Sequence, residues 1–337
     1  MVRVTNGVDL AELTTMRLPA ECAEFCEYDT LDDLRRLHAD GKLEGAFHLG
    51  GGSNVLFVGG KTPARVCHSR MRLIEAVPDA AGDTVAVTAQ SGVTLDDLVA
   101  MTCAWGLWGL ENLSMIPGHI GGAAVQNVGA YGAELADVVT SVTALDVTDG
   151  SMRTFTPQEL DYGYRHSIFK TPEAANRYVV TSVSLTLRRK GVPNLGYKAL
   201  ASAVTPDATP EQMRQSVMDM RRAKLPDPAT VGSVGSYFVN PIVDASEGER
   251  FRREHPEAPA FDTADGRVKL SAAWLIDHAG CKPLTCGGAS LWPTQPLVIV
   301  NTHGNATGAD IIGLEQAVRA RVKDTFGITL QCEVVKP

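Results

Sequence analysis

Five consecutive residues near the start of the chain combine backbone freedom with hydrogen-bonding side chains. Within the stretch HLGGGSNVLF they are Gly50, Gly51, Gly52, Ser53 and Asn54. Because glycine has no Cβ, such a backbone can turn its amide N–H groups towards an anion at close range. The same composition is also typical of a plain turn between two strands. The stretch is therefore either a phosphate-binding loop or a strand connection.

A second glycine-rich segment, residues 109–132, favours the first of these readings. Its sequence is GLENLSMIPGHIGGAAVQNVGAYG, without a sustained period of two or 3.6, and it predicts a long loop. Long loops inside compact domains are usually functional, and this one is too apolar to be disordered. Its amide side chains, Gln126 and Asn127, can bond heterocycle edges or diphosphate oxygens. Two such segments suit a long cofactor lying between them.

Two familiar phosphate-binding devices are excluded. No G-x-G-x-x-G opens a helix, so the Rossmann dinucleotide fingerprint is missing. The stretch GGKT at 59–62 resembles the end of a P-loop, but Val55 stands where that motif needs glycine. A nucleoside triphosphatase is therefore disfavoured.

Composition narrows the class of protein further. The 337 residues carry a formal net charge of −8, which argues against nucleic acid or an anionic membrane as the main partner. The N-terminus lacks a signal-like apolar run and no later run is long enough to cross a bilayer, so we expect a cytoplasmic protein. The seven cysteines never form C-x-x-C, which indicates reduced thiols and no metal site.

The periodicity around these segments predicts an α+β fold. Helices are expected at 31–40, 95–105 (capped by Thr94), 209–224, 271–280 and 310–327, and strands at 46–49, 84–90, 138–147, 151–156, 178–189 and 328–335. The clearest helix start is Thr209, followed by Pro210 and Gln212 in the pattern of a capping box. The loop-like composition just before it predicts a domain boundary near residue 205.

Five motifs in order along the chain carry a resemblance. They are LGGGSNVLF, IPGHIGGAAVQNVGAYG, YGYRHSIFK, GSYFVNP and LQCEVV. Together they resemble the UDP-N-acetylenolpyruvoylglucosamine reductase family from about residue 45 to the C-terminus. The resemblance implies the FAD-binding fold of vanillyl-alcohol-oxidase-type flavoproteins, with two α+β subdomains at 1–72 and 73–204. A third domain, 205–337, would bind the UDP-sugar, and its C-terminal segment would return to the active site.

The resemblance also implies a reaction in two halves. NADPH would reduce a non-covalently bound FAD, and hydride would then pass to the alkene of UDP-N-acetylglucosamine enolpyruvate. The product would be UDP-N-acetylmuramate for peptidoglycan synthesis. A monomer is favoured as the oligomeric state.

The residues that the family uses for the cofactor match positions in both glycine-rich segments. Gly50 to Asn54 would cradle the FAD diphosphate. Further contacts are implied for Pro117, Gly118, Ile120, Gly121, Gly122, Gln126, Asn127, Gly129, Ala130 and Tyr131. The chain departs from the usual family pattern at His119 and Gly122.

Three residues match the family's catalytic positions. Arg165 in YRHSIFK would bind the substrate carboxylate, and Glu333 in QCEVV would be its partner carboxylic acid. Ser236 in GSYFVNP would donate the proton to the carbon next to the carboxylate. Because hydride addition leaves negative charge beside a carboxylate, a permanently charged guanidinium and a proton donor suit this site.

Substrate-binding positions are implied in the second half of the chain and in one loop. They are Tyr197, Lys224, Asn240, Lys282 and Gln295. Tyr197 in LGYKAL resembles the tyrosine of the mobile loop found in the longer, first-type reductases. The stretch TCGGASLWPTQPL at 285–297 differs from the usual family form, which has an acidic residue after the glycine.

Two other functions stay open at this stage. One is an oxidase or dehydrogenase of the same flavin fold acting on an alcohol or lactone, a class that commonly tethers its flavin covalently. The other is a flavin-binding or nucleotide-sugar-binding protein without turnover.

Overall fold

The computed structural model describes residues 1–58 and 62–337, so Gly59, Gly60 and Lys61 of the GGKT stretch lie outside the described residues. The chain forms two compact units. The first unit is Met1–Val8, Glu21–Gly52 and Pro63–Arg222, and the second is Asp9–Ala20, Ser53–Thr62 and Ala223–Pro337. In the described ranges, no helix combines the length and the apolar content needed to cross a membrane.

Sixteen regular elements begin in the first unit. They are β1 (Arg3–Asp9), β2 (Glu21–Tyr28), α1 (Leu31–Ala39), β3 (Phe47–Leu49), β4 (Arg65–Ser69), β5 (Ile74–Pro78), β6 (Thr84–Gln90), α2 (Leu95–Ala104), α3 (Ile120–Gln126), β7 (Gly129–Ala130), β8 (Ala133–Glu134), β9 (Val139–Asp146), β10 (Met152–Phe155), β11 (Tyr178–Arg188), α4 (Lys198–Ala201) and α5 (Pro210–Lys224).

The first sheet of this unit has the strand order β1-β2-β4-β3, with β4 parallel to both of its neighbours. Helix α1 begins where predicted, because the Thr30 hydroxyl accepts the N–H of Asp33 at 3.1 Å. Its leucines Leu34 and Leu37 are buried in one cluster with Cys26 and other residues of the sheet. The glycine run thus follows directly after β3, a strand that is held in a parallel sheet.

The second sheet of the first unit is antiparallel, with the order β10-β9-β11-β6-β5. Its buried core takes alternate residues of β11, such as Val183, Leu185 and Leu187, as the alternation in the sequence predicts. The predicted strand at 84–90 matches β6, and the predicted strands at 138–147 and 151–156 match β9 and β10, which pair antiparallel.

The prediction of an uninterrupted loop over 109–132 is wrong, because residues 120–126 form helix α3. The sequence IGGAAVQ has no polar face from which a helical period could be read. A Cβ on Gly121 would lie 2.8 Å from the Cβ of Ser91, so the small residue permits this close packing. The helix is therefore stabilised by its neighbours rather than by its own periodicity.

Helix α5 begins as predicted with a reciprocal capping box. The N–H of Gln212 donates to the Thr209 hydroxyl at 3.3 Å, and the Thr209 N–H donates to the Gln212 side-chain oxygen at 2.8 Å. Pro210 occupies the first helical position, where its missing N–H costs no helical hydrogen bond.

The described residues of the second unit form two further sheets and three α-helices. Its elements are β12 (Gly232–Ser236), β13 (Ile242–Val243), α6 (Ala245–Glu254), β14 (Ala260–Asp262), β15 (Val268–Leu270), α7 (Ala272–His278), β16 (Thr285–Cys286), β17 (Ala289–Trp292), β18 (Gln295–Asn301) and α8 (Gly308–Phe326). The sheets have the orders β12-β18-β17-β16 and β13-β15-β14. The predicted helices at 271–280 and 310–327 correspond to α7 and α8, whose apolar faces share one core.

The predicted final strand at 328–335 is wrong. This segment makes isolated bridges instead, from Cys332 to Phe238 and from Val335 to Val55. Each bridge pairs it with a different piece of chain, so no continuous ladder forms with either partner. The apolar alternation that predicts a strand here reflects an extended segment that crosses two partners.

All seven cysteines are free thiols, as predicted, and five of them are buried. Over residues 1–58 and 62–337, no group of three or more histidine, cysteine or acidic side chains is placed to hold a metal ion.

Candidate functional site

The two glycine-rich segments meet in the first unit. A Cβ on Gly51 would lie 2.6 Å from the Gly118 Cα and 3.3 Å from the His119 nitrogen, so only glycine fits here. At Gly50 and Gly122, by contrast, an added Cβ would meet no described atom within 4 Å. Side-chain-free backbone therefore borders open space next to the contact between the segments.

His119 lies at this contact, immediately before helix α3. Its ring is 5.4 Å from the ring of His68, and its Nδ1 is shielded from solvent without a hydrogen-bond partner among the described residues. Burial lowers the pKa of His119 to about 4, so the ring is neutral at pH 7. A neutral ring with an unpaired nitrogen beside a glycine cradle suits a bound polar ligand.

Arg165 is held against the same glycine-rich segment. Its Nη2 donates to the carbonyl oxygen of Gly129 at 2.9 Å. Lys170 supports this arrangement, since its Nζ donates to the Arg165 carbonyl at 2.7 Å and to the Gln126 side chain at 2.9 Å. The structure thus brings together three predicted residues, Arg165, Gln126 and Gly129, and adds Lys170. Lys170 lies inside the motif YGYRHSIFK, which is the only sequence signal that could have identified it.

Asn127 stabilises the backbone of the glycine-rich segment 109–132 by hydrogen bonds of its side chain. It is fully buried with a left-handed backbone (φ 45°), and its amide group donates to Glu134 at 2.8 Å and to the Gly163 carbonyl at 2.9 Å. Its side-chain oxygen accepts the N–H of Ala136 at 3.0 Å. These bonds connect the glycine-rich segment to the turn that carries Arg165.

The other predicted cofactor residues of the segment differ in exposure. Pro117 is exposed, Ile120 and Gly121 are buried, and Gly118, Ala130 and Tyr131 are partly buried. The Tyr131 ring packs edge-on against the ring of Tyr197 at 5.2 Å. The loop that carries Tyr197 is attached nearby, because the Asn194 side chain donates to the Gly132 carbonyl at 3.1 Å.

In the second unit, backbone pairing places Ser236 and Glu333 close in register. The N–H of Glu333 donates to the carbonyl of Tyr237, the residue after Ser236, at 2.9 Å. Asn54 contacts the same C-terminal segment, since its Nδ2 donates to the Glu333 carbonyl at 3.3 Å. Ser236 is exposed and follows Gly235, whose positive φ of 71° allows the turn.

The buried carboxylate of Glu315 binds the side chain of Tyr237, the residue after Ser236 in the chain. The Tyr237 hydroxyl donates to Glu315 at 2.9 Å, and Lys336 and Arg319 contact the same carboxylate. Neither Glu315 nor Lys336 belongs to a motif in the sequence, so the sequence contains no signal for this network.

The predicted substrate residues of the second unit fall into two groups. The Lys224 carbonyl accepts the hydroxyl of Thr294 at 2.8 Å, which brings Lys224 next to Gln295 at the start of β18. Asn240 instead caps the start of α7, where its side-chain oxygen accepts the Ala272 N–H at 3.0 Å. Lys282 is exposed and forms an ion pair with Asp277 at 2.7 Å.

Two family models match the chain. The FAD binding domain matches residues 47–156, and the C-terminal domain of UDP-N-acetylenolpyruvoylglucosamine reductase matches residues 227–336. The first match covers both glycine-rich segments, and the second covers Ser236 and Glu333. The predicted α+β FAD-binding fold is confirmed.

Whole-chain relatives agree with these matches. A UDP-N-acetylenolpyruvoylglucosamine reductase of Bacteroides fragilis is 38% identical over 95% of this chain and 96% of its own length. One from Pseudomonas aeruginosa is 41% identical over 85% of this chain and 84% of its own length. The crystal structure of UDP-N-acetylenolpyruvylglucosamine reductase from Thermus caldophilus superimposes with a TM-score of 0.70 at 25% identity, covering all of both chains. The chain therefore belongs to the UDP-N-acetylenolpyruvoylglucosamine reductase family.

Proposed function

We propose that this chain reduces UDP-N-acetylglucosamine enolpyruvate to UDP-N-acetylmuramate with NADPH and FAD, as a step in peptidoglycan synthesis. The observation that carries the proposal is family membership over 95% of the chain at 38% identity. The site geometry agrees, since the predicted cofactor segments meet in the first unit and carry backbone that borders open space.

The residues present fit FAD. Gly50 to Asn54 would hold its diphosphate through backbone N–H groups, and residues 117–131 would contribute further contacts. When bound, FAD supplies the hydride chemistry, accepting hydride from NADPH and delivering it to the substrate alkene. The protein's part is to orient both molecules and to control charge and protons.

Arg165 would bind the substrate carboxylate. Its Gly129 bond uses Nη2 and fixes the orientation of the guanidinium plane. A planar and permanently charged group stabilises a carboxylate whose negative charge grows as hydride arrives. Lys170 would act through Arg165 and Gln126 rather than on the substrate itself.

Ser236 would donate the proton to the carbon next to the carboxylate, and Glu333 would act as the partner acid. Asn54 would position the segment that carries Glu333 through its bond to the Glu333 carbonyl. Because a serine hydroxyl is a weak acid in water, this role requires that bound substrate enclose the site.

Tyr197, Lys224, Asn240, Lys282 and Gln295 would bind the UDP-sugar. The pairing of Lys224 with the Thr294–Gln295 turn supports a shared role at the diphosphate. The boundaries 1–72, 73–204 and 205–337 stay a prediction, which the separation of the two larger sheets of the first unit supports. The cytoplasmic location and the monomeric state also stay predictions.

One anaerobic experiment tests this function. The purified protein is expected to show an oxidised-flavin absorbance spectrum that NADPH bleaches and that the enolpyruvyl UDP-sugar restores. Acid precipitation should release the flavin into the supernatant. Absence of flavin, or failure of the sugar to restore its colour, would contradict the proposal.

A further inference from the structure

The carboxylate of Glu315 connects three separate pieces of the second unit. Glu315 lies on helix α8, and its side chain is 5% exposed. It accepts the hydroxyl of Tyr237, the residue after β12, at 2.9 Å. It also pairs with the ammonium group of Lys336, which lies 5.5 Å from the centre of the Tyr237 ring. A helix, the end of a strand and the C-terminal segment (residues 331–336) are thus joined at one buried anion.

The burial of Glu315 makes these contacts important. A carboxylate that is shielded from water must be paired with a cation and with hydrogen-bond donors to be stable. Arg319 supplies one cation at 3.5 Å, but it lies on the same helix as Glu315 and four residues further along. Lys336 lies on the C-terminal segment instead. Its ion pair therefore attaches that segment to the core of the second unit.

The C-terminal segment also carries Glu333. The Glu333 N–H donates to the carbonyl of Tyr237 at 2.9 Å, and the Glu333 carbonyl accepts Nδ2 of Asn54 at 3.3 Å. The N–H of Val335 donates to the carbonyl of Asn54 at 3.0 Å. Because Tyr237 follows Ser236 in the chain, the register of this segment decides how far the Glu333 carboxyl lies from the Ser236 hydroxyl.

Backbone pairing alone holds this register weakly. The segment makes single bridges, from Cys332 to Phe238 and from Val335 to Val55, in place of a continuous ladder. A short pairing of this kind resists slippage poorly, and a slip by one residue would turn every side chain to the other face. An ion pair between the end of the segment and a buried carboxylate opposes such a slip.

We propose that Lys336 is a positioning residue for proton transfer, whose ion pair with Glu315 holds the C-terminal segment in the register that places the Glu333 carboxyl beside Ser236. The inference rests on the proposed function, which makes Ser236 the proton donor and Glu333 the partner acid. Lys336 would act through Glu333 rather than on the substrate or the flavin. Its loss should therefore slow the half-reaction with the sugar and spare the half-reaction with NADPH.

The first test measures the anchoring of the segment and needs no turnover. Hydrogen–deuterium exchange followed by mass spectrometry reports on the amide groups of residues 331–336 in the purified flavoprotein. In Lys336→Met, which removes the charge but keeps a long unbranched side chain, these amides should exchange about tenfold faster, because local opening becomes easier. Arg319→Met is the matched control, since it removes the other cation at Glu315 without altering the segment. Wild-type exchange of residues 331–336 is expected for it.

The second test is kinetic. Stopped-flow absorbance should show that Lys336→Met lowers the limiting rate of flavin reoxidation by the sugar about tenfold. Flavin reduction by NADPH and the affinity for UDP, titrated by flavin absorbance, should stay within about twofold of wild type. Arg319→Met should stay within about twofold in all three measurements. Lys336→Arg restores the cation and should recover about a third or more of the wild-type rate with the sugar.

The outcomes separate positioning from stability. Equal slowing in Lys336→Met and Arg319→Met would overturn the proposal, because the network would then act through stability alone. Unchanged exchange, or an unchanged rate with the sugar, in Lys336→Met would also overturn it. If Lys336→Met does not fold, Lys336→Gln should react with the sugar about threefold more slowly, and an unchanged rate there would overturn the proposal. Failure of the proposed function is seen separately, as wild-type flavin that the sugar does not reoxidise.

Discussion

The guanidinium of Arg165 donates to the carbonyl oxygen of Gly129 at 2.9 Å, so this arginine and the glycine-rich segment hold each other in place. The Arg165 backbone is left-handed (φ 54°), a conformation that costs a non-glycine residue about 1–2 kcal/mol. The bond from Lys170 to the Arg165 carbonyl helps to offset that cost. An unfavourable backbone held by several contacts is common where a side chain must be aimed at a ligand.

Arg165→Lys is expected to impair the half-reaction with the sugar selectively. Lysine keeps the charge but cannot bind Gly129 and a carboxylate with one planar group. We expect reduction of the sugar to slow by about 100-fold while reduction of the flavin by NADPH stays within about twofold. Stopped-flow absorbance of the flavin measures each half separately. Arg189→Lys, at an exposed position, is the control, and equal slowing of both halves would contradict the assignment.

Ser236→Ala is expected to remove the proton donor. Flavin reduction by NADPH should persist, while reduction of the sugar should fall by about 10²–10⁴-fold. The control is Ser246→Ala, an exposed serine in the first turn of α6. If the variant reduces the sugar at nearly the wild-type rate, Ser236 is not the donor.

Glu315→Gln is expected to destabilise the fold. The side chain is 5% exposed, binds the Tyr237 hydroxyl at 2.9 Å and faces the Lys336 ammonium, which would lose its counter-charge. We expect the free energy of unfolding to fall by about 1–3 kcal/mol. Urea titration followed by circular dichroism measures this.

Glu247→Gln provides the matched comparison for Glu315. Glu247 pairs with Arg250 on the surface of α6 at 3.5 Å, so its loss should change stability by no more than about 0.5 kcal/mol. Equal effects of the two substitutions would show that burial of Glu315 contributes nothing.

His48 is expected to make stability depend on pH. Both of its ring nitrogens are shielded without a partner among the described residues, and burial lowers its pKa to about 4. In the unfolded chain histidine titrates near 6.5, so between pH 6.5 and 4 the unfolded state binds the extra proton. Stability is therefore fully present above about pH 6.5 and falls as the pH drops towards 4.

The corresponding substitution is His48→Leu. Between pH 7 and pH 5 the wild-type protein should lose about 2 kcal/mol more stability than this variant. Urea titrations at both pH values measure the difference. His303→Leu, which replaces an exposed imidazole by the same side chain, is the control. Identical pH dependence in wild type and His48→Leu would refute the role of burial.

Structural features that depend on residues close together in the chain could be predicted from the sequence. The capping box at Thr209 and Gln212 defines the start of α5, and the alternation of β11 defines its two faces, because each depends on contacts within a few residues. The order of five motifs identified the family for the same reason, since each motif is a short local pattern. The relatives and family models confirm that identification.

Contacts between residues that are far apart in the sequence could not be predicted from it. Helix α3 has no helical period of its own and forms where small residues let it pack on Ser91. The C-terminal segment alternates like a strand, yet it pairs by single bridges with two different partners. The bond from Arg165 to the Gly129 carbonyl joins residues 36 positions apart in the chain, and the packing of the Tyr197 ring on the Tyr131 ring joins residues 66 positions apart. Side-chain pairing over such distances is decided by how the elements pack, and a local pattern carries no information about it.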